Sequence, residues 1–170
     1  MTPNPIIRLQ SVVQTLEHVI VPAVDRENSL AIEQCGLVLA QLQMLIAHMP
    51  YIGEYHALCL ADIVETSEAI GSPAGGGRTF AAADALGEAV DNSSECADAS
   101  HAFHNVGRAI DALLRAVALD GDAGFRRDVE QKVLAFSQRQ SRRSRAWFRD
   151  AGFDPDPDGL PTLAEMAAGR

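Results

Sequence analysis

Apolar residues recur three and four positions apart along most of the chain, the spacing that gathers them on one side of an α-helix. The cleanest lane is Cys96, Ala99, Phe103, Val106, Ile110, Leu113 and Val117, an a/d stripe held for three heptads. A stripe of this kind has to be covered by other helices. Ile6, Leu9, Val13, Leu16 and Ile20 form a second lane, broadened by Val12 and Val19. Cys35, Val38, Leu42, Leu45 and Met49 form a third, with Ile32, Leu39 and Ile46 alongside. In a fourth segment Ile52, His56, Cys59, Ile63 and Ile70 share one face, opposite Glu54, Glu65 and Glu68. Nothing alternates with the two-residue period of a strand.

Turn and cap residues divide these lanes. Thr2 before Pro3 predicts a helix start, and Pro22, which has no N–H, predicts a kink or an end. A second helix is predicted over about 28–49, and Pro50 separates it from a third over about 51–70. The glycine-rich run 71–77 predicts a flexible loop, followed by an alanine-rich helix over about 80–90. Asn92 with Glu95 three residues on predicts a capping box opening the heptad helix, which ends near Gly121. A last long helix is expected over about 122–151. The predicted fold is therefore all-α: an up-and-down bundle of four to five helices over 1–152, then an Asp/Pro-rich tail over 153–170 with a short helix.

Composition adds a compartment. Three cysteines, Cys35, Cys59 and Cys96, fall in separate segments with no C-x-x-C pair, which argues against a thiolate zinc site and for a reducing cytoplasm. The N-terminal Met1-Thr2-Pro3-Asn4-Pro5 has no basic start and no long apolar run, and no stretch is expected to approach the roughly 18 apolar residues a membrane span needs. Neither an export signal nor membrane attachment is expected.

The net charge of −9 is unevenly spread. Residues 1–125 carry 5 Arg against 16 acids, whereas 126–149 carry 8 basic residues against Asp128 and Glu130. Arg139, Arg142, Arg143, Arg145 and Arg149, with Trp147 and Phe148 interleaved, could engage nucleic acid by phosphate pairing and stacking. The acidity of the remaining chain would repel a polyanion, so a protein partner is the better use of the Arg139–Arg149 face.

Two groups of residues are candidate sites. Phe125, Val129, Val133 and Phe136 define an inward lane whose continuation is Gln140, Arg143 and Trp147, polar where burial is expected. An inward arginine needs a counter-charge or an anion, unless the helix simply projects beyond the bundle, which is the preferred expectation. His56, on its apolar lane, and Tyr55 beside it would complete a ligand pocket with Gln140, Arg143 and Trp147. The second group is Asp154, Asp156, Asp158, Leu160, Thr162 and Glu165, spaced as D-x-[DN]-x-[DN]-G-x5-E and similar to an EF-hand calcium loop. Pro155, Pro157 and Pro161 argue instead for a stiff turn into a Thr162-capped helix, with the tail docked by Leu160, Leu163 and Met166.

Other chemistries lack essential parts. His101 and His104 lie three apart on an outward face without further ligands, and the chain has no Glu-x-x-His. His101 also lacks the Lys-Gly pair that typically follows the histidine of a phosphotransfer domain. Gly75-Gly76-Gly77-Arg78-Thr79 lacks the lysine of a P-loop. No cofactor is called for. The lanes offer more apolar surface than one bundle can cover, which predicts a two-fold homodimer. The function expected is an interaction or oligomerisation module, with small-ligand binding or catalysis near His56 and Arg143 as the alternative.

Overall fold

The computed structural model describes residues 4–152 and 154–168. Among these the fold is an all-α bundle without strands. Six longer helices are α1 (Pro5–Thr15), α2 (Ser29–His48), α3 (Ile52–Glu68), α4 (Gly77–Ser93), α5 (Ala99–Asp120) and α6 (Ala123–Trp147). A short α7 (Leu163–Ala167) closes the tail.

The cap residues explain most boundaries. The proposed Thr2–Pro3 start lies outside the described residues, and α1 opens with the Asn4 side chain accepting from the Ile6 amide. Pro22 cannot donate into the preceding turn. The helix widens ahead of it into a π turn, Leu16–Ile20, where the Val21 amide reaches back five residues to the Leu16 carbonyl. Asn28 caps α2, and Pro50 sits in a single 3-10 turn, Met49–Tyr51, that leads directly into α3. Asp98 caps α5, Asp122 caps α6, and Thr162 with Glu165 forms a reciprocal capping box on α7.

One predicted start is wrong. The heptad helix does not open at Asn92; α4 continues through Ser93 and α5 begins at Ala99. The hydroxyls of Ser93 and Ser94 bond back to the Val90 and Asp91 carbonyls as α4 ends. The Asp98 carboxylate then accepts from both Ser100 and His101 amides and caps α5. Cys96 consequently lies in the turn, not on the helical lane.

The core sits between α3, α4, α5 and α6, centred on Ile63, Leu86, Val106, Ile110, Leu113 and Val129. Its glycine-rich entry to α4 is pinned rather than loose. The Gly76 amide donates to the Asp120 carbonyl at 2.7 Å, and the Asp122 amide donates to Ala74 at 2.9 Å. Gly75 has φ +148°, and a Cβ there would lie 2.6 Å from the Asp120 carbonyl oxygen, so only glycine fits this crossing. A second, smaller apolar cluster joins Ala146, Leu160 and Met166 with Tyr55, Trp147 and Leu163, seating the tail on α3 and α6.

The α1–α2 hairpin is different. Among its described residues only Val13 and His48 are buried. Ten of the fourteen large apolar side chains left exposed lie between Ile7 and Ile52, so the uncovered surface is concentrated on this one element. Contrary to the expectation that no stretch approaches membrane-span length, the continuous helical segment Ser29–Glu68 is long and apolar enough to cross a membrane by length and composition.

Candidate functional site

The polar half of the α6 lane faces into the molecule. Helix α6 does not project past the bundle at Arg143, whose side chain is only 16% exposed. Its counter-charge is Asp62, a buried acid of α3. Arg139 donates through Nε and Nη2 to Oδ1 of Asp62 at 2.9 and 2.7 Å, while Arg143 donates from Nη1 to Oδ2. Arg139 also donates to the Thr66 hydroxyl at 3.0 Å, and that hydroxyl donates to the Asp62 carbonyl at 2.7 Å. Burial pushes the Asp62 carboxyl upward, but the two guanidinium groups outweigh it and hold the group below the usual carboxylate range.

The network continues toward the tail. Gln140 accepts from Arg143 at 3.2 Å and donates to the Cys59 sulfur at 3.4 Å. Tyr55 lies next to Cys59, Gln140 and Ser144, and burial raises its phenol above the ordinary value. Its ring packs on Trp147 at 4.4 Å between centroids, and His48 meets the other side of Trp147 edge-on at 4.7 Å. Tyr55, Gln140, Arg143 and Trp147 are thus brought together. His56 touches this group only through the Tyr55 ring, 5.9 Å away, and makes no hydrogen bond among the described residues.

The chemical character of the assembly is closure. Among the described residues no buried side-chain nitrogen or oxygen lacks a partner. An open cleft of about 500 Å³ runs past Asp62, Glu65, Thr66, Lys132, Arg139 and Arg143, but its cations already face carboxylates of the chain. An anionic ligand there would compete with Asp62 for the two guanidinium groups. Sequence reasoning missed Asp62 and His48. Cys59, Asp62, Ile63 and Thr66 follow the i, i+3, i+4, i+7 rule and are all buried, so the spacing held a signal that the acid belonged inside.

The remaining arginines hold the tail. Arg145 grips Asp154 with two parallel hydrogen bonds of 2.8 and 2.9 Å, and this holds the Asp154 carboxyl down to about 2. Arg142 donates to the Gly159 carbonyl at 3.2 Å, and Arg149 to the Leu160 carbonyl at 3.3 Å. Thr162 and Glu165 are occupied by their capping box, while Asp156 and Asp158 stay exposed. Guanidinium groups therefore stand against the carboxylate and carbonyl that a calcium ion would take. No cluster of three or more His, Cys, Asp or Glu suited to a metal occurs among the described residues.

Two other features resolve similarly. The N-terminus of α4 is filled by the chain's own Asp120, which accepts from the Arg78 and Thr79 amides at 3.0 Å and from the Thr79 hydroxyl at 2.6 Å. A phosphate would find that position taken. His104 donates from Nδ1 to the Ser100 carbonyl at 2.6 Å, on an exposed face shared with His101. Comparison with protein families, with curated proteins and with solved structures found no match, so these side chains themselves carry the functional reading.

Proposed function

We propose that this chain is a cytoplasmic helical-bundle module that joins a second copy of itself, as a two-fold dimer, through the α1–α2 hairpin. The observation that carries this reading is where the uncovered apolar surface lies. Leu30, Leu37, Val38 and Leu45 on α2, with Val12 on α1 and Val19 in the π turn that follows it, are each at least 45% exposed. A helix that is apolar on more than one side is normally covered on more than one side. Exposed patches of this size mark an interaction surface.

The rest of the molecule supports that choice by being self-sufficient. All five arginines between 139 and 149 are engaged within the chain, Arg139, Arg143 and Arg145 with carboxylates and Arg142 and Arg149 with backbone carbonyls. The two helices of the hairpin carry little charge, with Glu33 alone among Asp, Glu, Lys and Arg on α2 and Arg8 alone on α1; Glu17, Asp25, Arg26 and Glu27 lie in the segment between them. Two such surfaces can meet without repulsion even though each chain is at −9. Three free cysteines fit a reducing cytoplasm.

A lipid bilayer is the competing cover for α2. Glu33, Gln34, Gln41 and Gln43 within one 20-residue helix weigh against it, because each would be costly in hydrocarbon. Sedimentation of the full chain with and without phosphatidylcholine vesicles separates the two. The expected result is a dimer in buffer and no chain in the vesicle pellet. A monomer in buffer that pellets with vesicles would assign the hairpin to the membrane and end the dimer reading.

A further inference from the structure

The main core is open to the surface between the end of α3 and helix α4. A cleft of about 320 Å³ enters there, at the small end of the roughly 300–1,000 Å³ range of small-molecule sites. Its floor is the core itself: Leu86, Leu113 and Phe125 are buried, and Ile70 and Val90 pack beside them. Two carboxylates, those of Glu68 and Asp91, stand at its edge. Both residues are exposed, and neither side chain has an ion pair or hydrogen bond among the described residues.

The polar groups around this cleft can accept hydrogen bonds but have none left to donate. The Ser67 hydroxyl donates to the Ile63 carbonyl at 2.7 Å, which leaves its oxygen as an acceptor. The Ile70 amide donates to the Ser67 carbonyl at 3.2 Å, and the Gly71 amide to Asp128 at 3.0 Å. The Phe125 amide is taken by Asp122 at 3.3 Å. Among the described residues no Lys, Arg or His lines the cleft, in contrast to the one that passes Asp62. It also lies at the C-terminal end of α3, where a helix carries partial negative charge. A guest must therefore bring both the donors and the positive charge.

Gly87 keeps the opening clear. At about 100° per residue the lining positions of α4 fan out from Leu86 through Val90, Ala83 and Gly87 to Asp91, from buried floor to exposed edge. Glycine weakens a helix interior, and no close neighbour requires it here, because a Cβ at position 87 would meet nothing within 4 Å. A larger side chain at this point would overhang the apolar floor beside Asp91.

We infer that this cleft binds a small organic amine, with the ammonium against Glu68 and Asp91 and an apolar body, a single ring or a short branched chain, over Leu86 and Phe125. Covering the floor supplies the hydrophobic gain, and the carboxylates select a cation. The net charge of −9 draws ligands of the same sign. The site is separate from the hairpin and independent of the self-association proposed above.

Calorimetric titration of the full chain with phenethylamine, phenethyl alcohol and hydrocinnamate tests the assignment. The amine should bind saturably at or below roughly millimolar concentration, about tenfold more tightly than the alcohol, and the anionic acid should not bind. Glu68→Gln combined with Asp91→Asn should remove the advantage of the amine. Gly87→Leu should abolish binding yet melt no lower than the wild type, because its side chain enters open space. Absence of saturable amine binding, equal affinity for amine and alcohol, an advantage that survives the double substitution, or binding that survives Gly87→Leu would overturn the proposal.

Discussion

Arg143 closes on the buried carboxylate of Asp62, eighty-one residues earlier in the chain, and Arg139 takes the other oxygen. The pair ties α6 to α3 from the inside, where a lost partner is costly. Asp62→Ala strands Arg143 and should lower unfolding free energy by about 3 kcal/mol, the low end for a broken buried pair because Arg139 can turn to solvent. Arg139→Ala should cost no more than about 1 kcal/mol, since its side chain is 47% exposed. Urea unfolding of both variants checks the ratio; equal losses would mean the carboxylate is not the centre of the network.

Acid should unfold the molecule through the same contacts. The carboxyls of Asp62 and Asp154 are held below the ordinary value of 3.8, the latter at about 2. A depressed carboxyl binds its proton later in the folded chain than in the unfolded one. Its contribution is complete above about pH 4 and is lost as the pH falls from there toward about 2. Stability measured by urea between pH 5 and 2 should fall steeply in this window, and Arg145→Ala should remove part of the fall.

His48 acts at higher pH. Burial lowers its pKa below 6.5, against a smaller upward pull from Asp150. The unfolded histidine is protonated first as pH falls, so stability drops below about pH 6.5 and levels off below the folded value. Because Trp147 is the single tryptophan and meets His48 edge-on, its emission reads this junction directly. His48→Phe should flatten the limb that begins below pH 6.5, and an unchanged limb would place the titrating group elsewhere.

The tail should be indifferent to calcium. Millimolar calcium is expected to leave melting temperature and tail proteolysis unchanged, whereas Arg145→Ala should speed cleavage near Asp154 by freeing the turn. A calcium-dependent rise in melting temperature that disappears in Asp154→Ala would restore the loop as a metal site.

Local rules explain how much of this was legible. Proline, glycine and cap residues placed α2, α3, α6 and α7 within a few positions, because each acts on its own turn. Asn92 was unavailable as a cap because α4 runs through it to Ser93, and the start fell to Asp98, whose Oδ1 accepts from the Ser100 and His101 amides. In the polar lane of α6, the spacing allowed an inward arginine, but the loss of apolar periodicity favoured a projecting helix, which the burial of Arg143 overturns. Its partner was not readable, because pairing Arg143 with Asp62 depends on how α3 and α6 are stacked. The calcium-like spacing was satisfied by residue types alone, whereas the geometry gave Asp154 and the Leu160 carbonyl to arginines.

The central claim is that the α1–α2 hairpin joins two copies, and its most direct test is sedimentation equilibrium at tens of micromolar for the wild type and for Leu45→Glu. Leu45 is 48% exposed, so a carboxylate there leaves the single chain's packing intact and burdens only a covered seam. The wild type should sediment at twice the 18.2 kDa chain mass, and Leu45→Glu at the single-chain mass with unchanged helical circular dichroism. A monomeric wild type, or a Leu45→Glu chain that stays dimeric, would contradict the account.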